Sequence, residues 1–432
     1  MFKSSFGRGL VAAMESADGT QVVDEIIPAA DSAETSLLET AEAGAEVTGT
    51  LDDIESAQAD GDSLGAIAET MEATEETGGL DPVAAEVAEV AVESICNRLG
   101  VTRRKYALES FSSKDKRVAA TRYAVEEIKD VLKRIWDAIV AAFGKVKEFL
   151  KNFFKALIDS NEKLAQRADA LVNKATNAKG APKEKEISAG GFGKALATGG
   201  AFKKANVIEA LAGMPAWLSS TMVAITQKPS FADKLKDMIA DQKVFDGYQL
   251  PAFKESGYKA SGSEGGMATF TGQELVGGRA FRVQRNDKAL KGAEAFAAIG
   301  NWKIELATLK DAKSFEGDKV EALSADEIVK VATAARELSR GVIAVRKTQD
   351  ALDKEIGALQ GDARTAASAA PKEDEAAARE RAQLLARALS AAIQYNIREL
   401  TTATKYSTDV VKSGLDYAER ALSNIKEEAE AK

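Results

Sequence analysis

The chain of 432 residues contains no histidine. That removes the commonest general base, the commonest metal ligand and every Ser-His or Cys-His nucleophile pair. Cysteine occurs once, at Cys96, so no internal disulfide and no CxxC metal or redox pair can form. Beside Ile95 in an apolar helical pattern, that thiol reads as a small core residue. Aromatic residues make up only 6% and proline only seven positions, which favours long helices packed through Ala, Leu, Val and Ile over a β-sandwich. No apolar run approaches the ~18 to 20 residues that span a bilayer. The apolar stretch at 10–14 is too short for the core of a secretory signal. Gly193-Lys194 is followed by Ala195, where a phosphate loop needs Ser or Thr, and no strand pattern leads into it. The pairs Glu126-Glu127 and Asp326-Glu327 read as helix surface or caps, with no pocket to shift their pKa values. The expectation is a soluble protein kept in a cytoplasm-like place, with no cofactor or metal and no catalysis of its own.

What the chain does have is charge, unevenly placed. The formal net charge is −9. Residues 1–109 hold six basic and 23 acidic residues, a balance of −17, while the remaining 52 basic and 44 acidic residues give +8. Such asymmetry suggests a segment with its own task. Between 15 and 79 the acidic segment lacks Phe, Trp and Tyr, and its composition predicts a largely disordered arm. Two stretches in it have helical character, 32–46 and 82–99. The second has Asp81 as cap, Pro82 in the first turn, Val83, Val87, Val90, Ile95 and Leu99 as its apolar face, and Gly100 as its stop.

From 118 to about 172 the pattern is strongly helical. Ile128, Leu132, Ile135, Ile139, Val146, Phe149, Phe153 and Leu157 recur at steps of three, four and seven, flanked by Trp136, Phe143 and Phe154. Lys129, Lys133, Lys147, Lys151 and Lys155 lie largely opposite. A basic amphipathic helix with aromatic residues over 128–158 suits either a membrane surface or a protein core. Residues 176–200, rich in Gly, Lys and Ala, read as a linker. Residues 201–320 read as a small α+β domain. It has helices at 206–213 and 217–241, strands at 267–271 and 279–284 joined through Gly277-Gly278, and a helix over 293–314. Arg279, Arg282 and Arg285 on the second strand are candidate phosphate contacts, or the charges of an exposed edge strand. In the final part, 321–432, Ser324 and Glu327 form a capping-box start. Helices to Gly361 and from Pro371 onward predict an antiparallel helical hairpin with a coiled-coil seam. The fold class is therefore mainly α, in five parts: acidic segment 1–109, amphipathic helix 110–175, linker 176–200, α+β insert 201–320 and hairpin 321–432.

The charge switch falls at Ala107-Leu108-Glu109-Ser110. An acidic, Ala/Glu-rich propiece followed by this tetrapeptide and a basic helical body resembles the internal head and prohead-core proteins of large tailed bacteriophages, which are matured by a prohead protease. Those proteases cut after Glu with a small or aliphatic residue two positions earlier. Ala13-Met14-Glu15-Ser16 has the same form and is the secondary candidate; Glu34, Glu39, Glu69 and Glu86 also fit. The resemblance covers the organisation of the first ~120 residues. It implies a structural virion protein assembled in the bacterial cytoplasm and placed inside the head. Its implied partners are the prohead protease, other capsid or core proteins and packaged DNA contacted without sequence preference. Two alternatives follow from the residues themselves. One is a membrane-active or ejected effector using 128–158; the other is an unprocessed helical scaffold or tail-associated protein.

Overall fold

The structure, a computed structural model, describes residues 27–101, 103, 105, 108–178, 181–225, 231, 234–255, 257–264, 266–309, 315–346, 350, 353–354, 357 and 376–425. Three long helices dominate it: α1 (Ile27–Glu75), α3 (Lys114–Asn177) and, at the C-terminal end, α10 (Ala376–Ser423). The pairing order gives their directions. Thr40 meets Ser160 and Glu75 meets Arg122, so α1 runs antiparallel to α3. Asp52 meets Arg398 and Asp62 meets Arg387, so α1 also runs antiparallel to α10. Asn161 meets Thr408 and Arg167 meets Asp416 and Glu419, so α3 and α10 run parallel. α9 (Ala325–Ala344) packs along α3 and α10.

The expectation of a largely disordered acidic segment is corrected over 27–99. Val47, Leu51 and Ile54, and after a gap of ten residues Leu64, Ala68 and Met71, recur at steps of three and four along α1 and are buried. They share one continuous core with Val131, Ile135, Phe153 and Leu157 of α3. Composition underrated α1 because the helix brings few large apolar residues of its own and relies on α3 for bulk. Small residues let the two axes close up, and a side chain at Gly44 would stand 3.4 Å from the Phe153 ring. The turn from α1 into α2 (Pro82–Leu99) is equally tight. Gly79, at φ +81°, lies so close to α3 that a β-carbon there would stand 2.6 Å from the Arg117 carbonyl carbon. Beside it the Leu80 amide donates to the buried Thr121 hydroxyl at 2.9 Å.

The caps of α2 are as expected: the Asp81 carboxylate accepts from the Val83 and Ala84 amides, and Gly100 closes the helix at φ +66°. Its buried face is different. Val83, Val87 and Val90 are 71%, 65% and 62% exposed, while Ala85, Glu89, Val92, Ile95 and Cys96 face inward. Glu89 can sit there because Arg103 pairs with it at 2.5 Å.

Residues 181–200 of the segment read as a linker are structured. β1 (Glu186–Ser188) pairs antiparallel with β8 (Lys319–Glu321), and α4 (Gly190–Leu196) lays Phe192 on Tyr417, ring centroids 5.2 Å apart. α5 (Lys204–Ile225) is one helix with Pro215 inside it, not two pieces. The short helices α6 (Leu235–Ala240) and α7 (Gln242–Asp246) follow. The chain then runs through β2 (Gln249–Leu250), which pairs antiparallel with β6 (Leu290–Lys291). The main sheet is antiparallel, in the order β3 (Lys259–Glu264), β4 (Met267–Thr271), β5 (Arg279–Asn286), β7 (Lys303–Thr308). The expected pairing of β4 with β5 is present. The strand β5 is interior, however, and not an edge, because β7 covers its other side. β7 lies where a helix was expected: α8 (Gly292–Ile299) stops at Gly300, and alternation of Ile304 and Leu306 against β5 outweighs the local helical spacing. Ser324 and Glu327 form both bonds of the capping box of α9. Pro229 and Pro371 lie outside the described residues, as does most of the expected turn between the last two long helices.

Candidate processing site

The suspected cleavage sequence lies in the joint between α2 and α3. Leu108–Phe111 forms a single 3-10 turn. Phe111 is fully buried and anchors it, while Leu108 is 39% exposed and Glu109 is exposed. The Ser112 hydroxyl donates to the Glu109 carbonyl at 2.6 Å, and the Arg117 guanidinium donates to the Phe111 carbonyl at 2.8 Å. The bond after Glu109 therefore precedes a half-buried Ser110 and a pinned Phe111. Ala107 lies outside the described residues, as do Ala13, Met14, Glu15 and Ser16. The competing matches are placed differently: Glu34, Glu39 and Glu69 lie inside α1 and Glu86 inside α2. A bond inside a long helix has to unwind before a protease can hold it extended; the bond after Glu109 has only a single 3-10 turn to open, in an exposed joint of the kind preferred for nicking. Sequence could not rank these five matches, but their backbone does.

On one side of that joint lies the acidic segment, and its grip on the rest of the molecule has two parts. The first is apolar. Val47, Leu51, Ile54, Leu64 and Met71 are at most 1% exposed, and full burial of such side chains is worth roughly 1.5–3 kcal/mol each. The second is ionic. Asp52 and Glu55 hold Arg398 at 2.6 and 3.1 Å, Glu55 holds Lys303 at 3.2 Å, and Asp62 holds Arg387 at 2.8 Å. Glu72 and Glu75 hold Lys129 and Arg122 at 2.6 and 3.2 Å. These pairs are largely solvent-exposed, and such pairs contribute under about 1 kcal/mol each. Apolar burial therefore outweighs charge in holding α1.

Between α1, β7 and α10 lies a cleft of about 490 Å³, lined by Arg282, Lys303, Arg387 and Arg398 against Glu55 and Asp62. Lys303, Arg387 and Arg398 were not singled out in the sequence, since only the tertiary fold gathers them. The three arginines that were singled out are separated. Arg279 is exposed at the start of β5. Arg282 faces the cleft, 3.8 Å from Glu305 on the paired strand. Arg285 is stacked 3.6 Å over the Trp302 ring, with Phe253 and Tyr395 at 5.0 and 5.2 Å. Its role is internal. Burial and the neighbouring Glu255 carboxylate push Glu399 up to about 8, against the pull of Arg285. Burial likewise raises Glu255, Tyr258 and Tyr395.

The aromatic stripe of α3 is core. Phe143, Phe153 and Phe154 are buried and Phe149 is half-buried against the same cluster; the side chain of Trp136 lies outside the described residues. Among the described residues no helix is long and apolar enough to cross a membrane, and no group of His, Cys, Asp and Glu could hold a metal. Cys96 is a buried free thiol whose pKa is raised by burial.

Long helices sharing one core, with a small antiparallel sheet packed against them, define a helical structural class of protein. Across residues 29–420 the sequence matches the family model of phiKZ-like phage internal head proteins, and the chain belongs to that family. It is a family of structural proteins of the virion head, not of enzymes. Nothing among curated proteins or solved structures matches the chain.

Proposed function

We propose that this internal head protein is matured by cleavage after Glu109, and that its body is packaged with DNA inside the head once the acidic segment has been removed. Among the candidate sites in described residues, Glu109 alone lies in an exposed joint, and that observation carries the reading. The charge arithmetic supports it: removal of 1–109 takes a chain of −9 to a body of +8, which allows phosphate contact without sequence preference. A prohead protease is the implied partner, with other head or core proteins around the body. Protein taken from mature particles is expected to begin at Ser110. Intact mass spectrometry and N-terminal sequencing test this, and recovery of only the full-length chain would sink it.

One observation favours the unprocessed alternative. α1 is part of the core, so a permanently retained acidic segment is physically self-consistent. The same N-terminal sequencing separates the two. The membrane-active alternative loses its support, since the stripe it needs is packed inside the protein.

A further inference from the structure

The geometry points to a groove on the body that acts as a receptor for an acidic amphipathic helix: its resident is α1, and α1 remains docked there after the chain is cut at Glu109. This rests on the processing reading for its biological setting, though not for its physics.

The groove floor is apolar. Val131, Ile135 and Phe153 of α3 are buried in the cluster that Val47, Leu51, Ile54, Leu64 and Met71 complete. Its rim is cationic, with Arg122 and Lys129 on α3, Lys303 on β7, and Arg387 and Arg398 on α10. The resident matches both features. Its apolar residues face the floor, and Asp52, Glu55, Asp62, Glu72 and Glu75 meet the rim. At the waist, where Gln58 and Gly61 replace large apolar residues, the Gln58 amide reaches the Ser390 hydroxyl and accepts from Gln394 at 3.3 Å. The match thus runs from Thr40, against Ser160, to Glu75, against Arg122.

A cut at Glu109 breaks none of these contacts. It only turns an intramolecular contact into a bimolecular one, which removes the effective concentration supplied by the covalent joint. A nucleic acid competes for the rim alone, since a phosphate backbone offers nothing to the floor. Bond cleavage and charge reversal are therefore separate events. The nicked protein keeps the charge of the whole chain, −9, and the body becomes basic only when α1 is unwound or cut again within its helix.

The test uses the full chain with a recognition sequence for a site-specific protease inserted between Glu109 and Ser110. After complete cleavage, native mass spectrometry and size exclusion in 1 M salt should show both pieces as a single 1:1 complex, separating only in denaturant. Added duplex DNA at low salt should leave the complex intact. Leu51→Asp should release the acidic piece after cutting, whereas Asp52→Asn with Asp62→Asn should not, with helicity of each uncut variant confirming that it folds. Elution of the body by itself, displacement of the acidic piece by DNA, or release by the charge variant alone would each overturn the proposal. Because the inserted site replaces the phage protease, absence of natural processing would defeat the proposed function and leave this result standing.

Discussion

α1 and α3 pack against each other over much of their length, yet their sequences announce it very differently. α3 carries Phe143, Phe149, Phe153, Phe154 and a row of Ile and Val at helical spacing. α1 has no aromatic residue, and its apolar positions are separated by Ala, Gly, Thr and carboxylates. One helix supplies volume and the other supplies a thin, close-fitting cover. A segment can therefore look too polar to fold and still be core, provided its partner brings the bulk.

The sharpest way to break this comparison is to truncate one residue on each side. Phe153→Ala should cost about 3–5 kcal/mol and Leu51→Ala about 2–5 kcal/mol in chemical denaturation, because both side chains are fully buried. If α1 were a solvated arm, Leu51→Ala would shift the midpoint by nothing measurable, and the equality of the two helices would fail.

The same contrast explains what could be read in advance. The long helix at α3, the capping box at Ser324 and the pairing of β4 with β5 were legible because each rests on local spacing or turn chemistry. The order of α1 was not, since its stability comes from residues 47 to 120 positions away on α3, and as far as 346 away on α10. β7 was misread as helix for a related reason: Trp302 and Leu309, seven apart, suit a helix, the alternation of Ile304 and Leu306 is a short signal by itself, and pairing with β5 decides. Of the candidate site, Glu109 was visible as a motif, while its advantage over Glu34, Glu39, Glu69 and Glu86 depends on backbone conformation. The cationic rim was invisible, because Lys303, Arg387 and Arg398 are brought together only by the fold.

Charge is also handled in two ways, and pH sharpens that difference. Around Arg285 it is buried. Glu399, raised from its ordinary 4.5 to about 8, faces Glu255, Arg285 and the rings of Tyr258 and Tyr395. Between those pH values the folded protein holds a proton that the unfolded chain has released. The stabilisation is thus present in full below about pH 4.5 and is lost as pH rises towards 8. Glu399→Gln should remove this slope and stabilise the protein at pH 8 by on the order of 4 kcal/mol. Stability measured across pH 5 to 8 checks it, and an unchanged slope in the variant would assign the dependence elsewhere.

Along the α1 rim the charges are solvated, and their effect should be the smallest. Asp62→Asn deletes the partner of Arg387, and Asp52→Asn deletes one of the two carboxylates on Arg398, leaving Glu55. Each should cost under about 1 kcal/mol at low ionic strength and less in 1 M salt, where the Debye length falls to about 3 Å. Wild type and variants should therefore converge as salt is added, while the difference caused by Leu51→Ala should persist. A loss from Asp62→Asn that matched that of Leu51→Ala, or that survived high salt, would mean that the rim and not the floor holds the acidic helix in place.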